Sequence, residues 1–236
     1  SATRITVILP FYGCARQGKK HLGREPISAR LMADLFLAAG ADRLMTVDLH
    51  TAQIQGFFDG PVDHLLAMPI LTRYVRKNYG KKPLAVVSPD AGRIKVAEQW
   101  ARQFDNAPLA FIHKTRDVTK ANVSKANRVV GEVEGRTCIL VDDLIDTGGT
   151  ICQAAEALMN DGAAEVIIVS THAVFSGEAV NRLKDSVATE VIVTNTLPLE
   201  DDKHFDKLTV LSIAPLLAQA VSAVFEDGSV TSLFAE

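Results

Sequence analysis

Cys138-Ile139-Leu140-Val141-Asp142-Asp143-Leu144-Ile145-Asp146-Thr147-Gly148-Gly149-Thr150 is the stretch that decides how this sequence folds. It opens on four apolar residues in a row, the pattern of a parallel strand covered on both faces. The strand, read as Thr137–Asp143, delivers two adjacent carboxylates to its carboxyl end, where open α/β sheets bind ligands. Thr147 and Thr150 then flank Gly148 and Gly149 at the start of a helix read as Thr150–Asn160. Such a turn lets backbone N–H groups converge on an anion, helped by the helix dipole and the two hydroxyls. Carboxylates beside a phosphate cradle point to a sugar phosphate. Asp142 and Asp143 would hold hydroxyls, and the loop would hold the phosphate. An N-capped helix after an acidic strand end is the plain alternative. Asp146 and the glycine pair favour the ligand.

Outward from this stretch, short β-branched runs alternate with longer amphipathic ones. Arg4–Phe11, Arg43–Asp48, Leu84–Ser88, Leu109–His113, Glu165–Thr171, Glu190–Thr194 and Lys207–Ile213 read as further strands. Helices are expected over Ile27–Ala39, Ile70–Asn78, Lys95–Phe104, Gly177–Leu183 and Ala214–Phe225, the first stopped by Gly40. Repeated strand–helix–strand units give an α/β fold with a parallel sheet. Two polar stretches break the rhythm, Gly13–Pro26 and Thr115–Asn127, and both read as long loops.

Composition narrows the function classes. Twenty-five basic against 28 acidic residues give a net charge of −3, so no global basic field exists to hold a nucleic acid. No apolar run is long enough to cross a bilayer, and Ser1-Ala2-Thr3-Arg4 does not read as a signal peptide. Cys14, Cys138 and Cys152 form neither a disulfide framework nor a CxxC pair, which fits a reducing cytoplasm.

Other motifs gather at strand ends. Gly13-Cys14-Ala15-Arg16-Gln17-Gly18-Lys19-Lys20 nearly spells a P-loop, but Lys20 stands where a hydroxyl is needed, and the next helix begins only near Ile27. Its basic residues could still meet a polyphosphate through their side chains. His50 follows one strand, where a structural and a ligand-binding role are evenly matched. Asp90, in Ser88-Pro89-Asp90-Ala91-Gly92-Arg93, reads as a cap or as a ligand for a hard cation. Lys114 and Arg116 open the second polar loop.

Asp142–Thr150 resembles the phosphoribosyl-diphosphate motif of type I phosphoribosyltransferases and their relatives. Tyr12–Gln17, Gly23–Ala29, Asp48–Asp59, Ser88–Gly92 and Val193–Thr196 narrow the resemblance to the ribose-phosphate diphosphokinase (phosphoribosyl-diphosphate synthetase) family, from end to end. The loop after His113 is most like bacterial members. The resemblance implies two duplicated α/β domains of the type I phosphoribosyltransferase kind, with parallel sheets flanked by helices. Residues 1–67, joined by a returning 225–236, would be the N-terminal domain, and 68–224 the C-terminal one. Family members carry a further N-terminal region, so the first domain would be incomplete here and its sheet short of strands.

The same resemblance implies a reaction in which ribose 5-phosphate takes the diphosphate of ATP and AMP leaves, with Mg²⁺ as cofactor. Asp142, Asp143, Asp146, Thr147, Gly148, Gly149 and Thr150 would bind ribose 5-phosphate, and Arg16, Gln17 and His50 would bind ATP. His50 and Asp90 would hold Mg²⁺, while Lys114 and Arg116 would stabilise the transferring group. Gln55, Asp63, Ser229 and Thr231 would belong to a site activated by inorganic phosphate, in a homo-oligomer that is usually a hexamer. Gly18, Cys14 and Arg93 depart from the common pattern, and Arg93 adds a cation near Asp90. Two other readings share part of this inventory. A type I phosphoribosyltransferase would need only the Asp142–Thr150 loop, and a non-catalytic regulatory relative would tend to lose His50, Lys114 and Arg116.

Overall fold

A computed structural model describes residues 2–20, 23–115 and 126–230. The chain divides into two compact units, Ser1–Ala67 with Ile213–Glu236, and Met68–Ser212. The last helix, Ala214–Phe225, clusters with the first unit. The sequence expectation gave it to the second domain, because the apolar run after the last strand carries no mark of where it packs.

The first unit has a three-stranded parallel sheet of β1 (Thr6–Leu9), β2 (Arg43–Val47) and β3 (Val62–Leu65), in the order β1-β2-β3. Helix α1 (Ser28–Ala38) connects β1 to β2. Its Ala29 and Ala33 are buried with Tyr12, Leu44, Leu49, Ile54 and Phe58 in one apolar core. β1 is shorter than expected, since Arg4 and Ile5 precede the pairing and Pro10 cannot donate to a ladder. β3 was not foreseen. Asp63 and His64 hide it by breaking the apolar run.

The described residues of the second unit form seven strands: β4 (Leu84–Ser88), β5 (Leu109–Thr115), β6 (Ala126–Val130), β7 (Thr137–Ile145), β8 (Glu165–Ala173), β9 (Glu190–Thr194) and β10 (Leu208–Leu211). Their order is β10-β9-β8-β7-β4-β5-β6. All pairings are parallel except β5 with β6, which is antiparallel. The reading of 115–127 as one polar loop is therefore corrected at both ends, with 116–125 outside the described residues. Helices α2 (Met68–Tyr79), α3 (Ile94–Arg102), α4 (Gly149–Asn160) and α5 (Ala179–Asp185) connect these strands, and α6 (Ala214–Phe225) follows β10.

β8 buries Val166, Ile167, Ile168 and Val169 completely, as a central strand covered on both faces must. Each such side chain contributes about 1.5–3 kcal/mol relative to exposure. The chain leaves β4 toward β5 on one side and later returns as β7 on the other. Strand order therefore reverses between β4 and β7. The crevice at the carboxyl ends of those two strands is where an open parallel sheet binds its ligand.

Candidate functional site

The two strands at the reversal deliver the acidic residues and the glycine loop. β7 runs on to Ile145, two residues past the expected end at Asp143, so Asp142 and Asp143 lie just inside the strand's carboxyl end. Asp142 pairs across to Ser170 in β8. The turn after β4 supplies the countercharge. Arg93 Nη2 lies 2.8 Å from Asp143 Oδ1, and Arg93 Nε lies 3.3 Å from Asp142 Oδ1. Asp142 Oδ1 also accepts the Asp143 N–H at 2.9 Å. Side-chain exposures of 17% for Arg93, 21% for Asp142 and 8% for Asp143 place this cluster out of bulk water, where an ion pair is little screened. Burial, and then the charge of Asp143, push the Asp142 carboxyl up from the ordinary carboxylate range, while Arg93 pulls it down.

The glycine loop follows directly. Gly148 is buried with φ +75°, the left-handed region that a side chain resists, and it caps α4. The first N–H groups of α4 have no partner inside the helix, which is the property an anion cradle needs. Thr147 and Thr150 are exposed beside them. Asp146 anchors the loop. Its carboxylate accepts the Ser176 hydroxyl, and its carbonyl accepts the Ser176 N–H at 3.0 Å. Arg182 of α5 donates from Nη1 to the Thr147 carbonyl at 2.8 Å. Neither Ser176 nor Arg182 was foreseen, because both come from segments about thirty residues downstream that carry no motif of their own.

Asp90 sits on the turn after β4. Its Oδ1 accepts the Gly92 N–H at 2.8 Å, so it caps the turn over Ala91–Arg93. No group of three or more His, Cys, Asp or Glu that could hold a metal is present among the described residues. His50 and Asp90 belong to different units, Ser1–Ala67 and Met68–Ser212.

The other predicted residues lie mainly in the first unit. Arg16 and Gln17 occupy a 3-10 turn over Ala15–Gln17, and α1 does not begin until Ser28, as the rejection of a P-loop requires. A Cβ added at Gly18 would come within 3.3 Å of Thr51 Oγ1, so this turn lies against the loop that carries His50. Tyr12 braces the turn by donating its hydroxyl to the Ala29 carbonyl at 2.7 Å. Asp63 is held by Arg43 Nη1 at 2.9 and 3.1 Å. Gln55 donates to the Ala52 carbonyl at 3.2 Å and lies 3.4 Å from His64 Nδ1. Lys114 pairs with Asn127 at the end of the β5–β6 ribbon. Arg116 and Thr231 lie outside the described residues, while Ser229 is described just after α6.

His64 ties this region to pH. Its Nε2 accepts the Leu49 N–H at 2.9 Å, which requires a neutral ring, and burial lowers its pKa against the opposing pull of Asp48. The unfolded chain therefore binds the proton more readily than the folded one. Stability is full above the unfolded value and falls as pH drops below about 6.5 toward the folded value. Thermal midpoints measured across this range should fall for the wild type and fall less for His64→Gln. Equal slopes would remove His64 from the account.

A glycine-started helix beside a carboxylate pair, at the reversal point of a mainly parallel sheet, defines the chain as an α/β protein with a candidate ligand site at its topological switch point. Comparison with known proteins then gives the family. A family model described as the phosphoribosyl synthetase-associated domain matches residues 111–235, and the N-terminal domain of ribose phosphate pyrophosphokinase matches residues 1–40. The ribose-phosphate pyrophosphokinase of Mycobacterium tuberculosis is 63% identical over 99% of this chain and 72% of its own length. That of Streptomyces avermitilis is 62% identical over 100% of this chain and 72% of its own. A crystal structure of phosphoribosylpyrophosphate synthetase from Mycobacterium smegmatis superposes with a TM-score of 0.91 at 61% identity, covering 97% of this chain and 74% of that one. The chain belongs to the ribose-phosphate pyrophosphokinase family.

Proposed function

We propose that the chain is a ribose-phosphate diphosphokinase, an enzyme of nucleotide biosynthesis that moves the β,γ-diphosphate of ATP onto the anomeric hydroxyl of ribose 5-phosphate. The new O–P bond forms at the β-phosphorus, the bond to the α-phosphate oxygen breaks, AMP leaves, and the hydroxyl proton is lost. The observation that carries this reading is the pairing at the β4–β7 reversal of a carboxylate pair with a glycine-started helix. Neither the regulatory relative nor the phosphoribosyltransferase alternative is favoured by relatives that match over nearly the whole chain.

Asp142 and Asp143 accept hydrogen bonds from the ribose hydroxyls, and the Asp146–Thr150 loop cradles the 5-phosphate. Arg16, Gln17 and His50 hold ATP. Lys114 and Arg116 meet the charge that builds up on the diphosphate in transit, since catalysis of such transfers is mostly positioning and neutralisation. Mg²⁺, held by the phosphates with His50 and Asp90, would neutralise phosphate charge when bound. We further propose activation by inorganic phosphate through Gln55, Asp63, Ser229 and Thr231, a homohexameric assembly, and a cytoplasmic location. No described helix is long and apolar enough to cross a membrane.

The phosphorus fate tests the reaction. With ATP labelled at the β-phosphorus, all label that leaves ATP should appear in a sugar diphosphate and none in AMP. Label retained as ADP would show ordinary γ-phosphoryl transfer and overturn the assignment. Asp146→Ala tests the site. Loss of the contact between its carboxylate and the Ser176 hydroxyl should raise the KM for ribose 5-phosphate by roughly tenfold or more with the KM for ATP nearly unchanged. Unchanged saturation by ribose 5-phosphate would remove the loop from substrate binding.

A further inference from the structure

We infer that Arg93 is a positioning residue for the ribose diol, bridging Asp142 and Asp143 so that the two carboxylates act as one acceptor for neighbouring sugar hydroxyls. The inference rests on the reading of that pair as the hydroxyl-binding site.

Neighbouring side chains on a strand point to opposite faces, so Asp142 and Asp143 do not share a direction by default. A single guanidinium nonetheless reaches both, through Nε on Asp142 and Nη2 on Asp143. The planar guanidinium holds its two donors in a fixed geometry, which the rotating donors of an ammonium do not. The fork engages Oδ1 of each carboxylate. Arg93 is itself delivered by a fixed turn. Asp90 Oδ1 accepts the Gly92 N–H, and the Ser88 hydroxyl donates to the Asp90 carbonyl at 2.6 Å. A Cβ at Gly92 would come within 3.1 Å of Asp90 Oδ1, so the turn is closely packed around its cap.

Two carboxylates held this close and out of water repel each other and favour sharing a proton. A shared proton would cost the pair one acceptor for the diol. The cation that opposes this comes from the other strand of the reversal, which ties the geometry of the β4 turn to sugar recognition on β7.

The test is direct binding of ribose 5-phosphate and of 2-deoxyribose 5-phosphate, measured by calorimetry on the wild type, Arg93→Gln, Arg93→Lys and Asp142→Asn. Arg93→Gln should weaken ribose 5-phosphate by roughly tenfold, the scale of a charge-assisted contact, and weaken the deoxy sugar much less. Discrimination between the two sugars then collapses, while Arg93→Lys recovers only part of it. A merely structural Arg93 would weaken both sugars equally, and that outcome, or wild-type discrimination in Arg93→Gln, overturns the inference. If Asp142→Asn also binds ribose 5-phosphate like the wild type, the reading of the carboxylate pair fails, and the inference with it.

Discussion

Lys114→Ala lowers kcat by roughly a hundred- to a thousandfold while leaving the KM for ATP nearly unchanged. The reason is where charge appears. ATP carries its phosphates into the site already charged, and much of that ground-state binding falls to Arg16, Gln17 and His50 in this account. The new demand arises when the bond to the α-phosphate weakens and negative charge redistributes onto the diphosphate and its leaving partner. Lys114 stands at the end of the β5–β6 ribbon, opposite Asn127, where the antiparallel pair fixes its backbone. In the proposed mechanism the Lys114 ammonium meets the charge of the transition state more than that of the substrate. Steady-state kinetics separate the two cases. A raised KM with normal kcat would make Lys114 a binding residue only, and normal values of both would take it out of the mechanism.

Gly148→Val has the second large effect, this time on ribose 5-phosphate. A β-branched residue at φ +75° costs about 1–2 kcal/mol before any contact is counted. A Cβ there would already lie 3.4 Å from the Ala179 carbonyl oxygen and 3.5 Å from its Cα. The two valine methyls must then press on the start of α5, whose Arg182 also holds the Thr147 carbonyl. The cradle opens, and the KM for ribose 5-phosphate should rise by on the order of a hundredfold as several N–H contacts are lost together. Gly149→Ala is the comparison, since its Cβ would meet nothing nearer than Arg182 Nη1 at 3.8 Å. Its thermal midpoint should match the wild type. A Gly148→Val protein that saturates normally with ribose 5-phosphate would show that the loop does not hold the phosphate.

Much of the fold is legible because buried parallel strands announce themselves. Leu84–Ser88, Glu190–Thr194 and the helix Ala214–Phe225 have the bounds that their apolar runs give. β3 and β6 escaped for one shared reason. Short strands with polar residues at alternate or leading positions look like loops, and only their partners show otherwise. Asp63 is paired by Arg43, His64 accepts from Leu49, and Ala126-Asn127 is paired by the end of β5.

The site divides in the same way. Residues contiguous in sequence, from Asp142 to Thr150, could be read as one unit because the chemistry lies along the chain. Arg93, Ser176 and Arg182 could not, since each acts on that unit from a different element. Sequence placed Arg93 near Asp90, its neighbour along the chain, and could not show that it also meets Asp142 and Asp143 on the adjacent strand β7. Arg116 and Thr231, read from resemblance, lie outside the described residues.

The most direct measurement is AMP release from ATP in the presence of Mg²⁺ and inorganic phosphate, with and without ribose 5-phosphate. The account predicts AMP that appears only with the sugar phosphate and in equal amount to phosphoribosyl diphosphate. AMP released without the sugar, or none released with it, would contradict the assignment of this chain as a ribose-phosphate diphosphokinase.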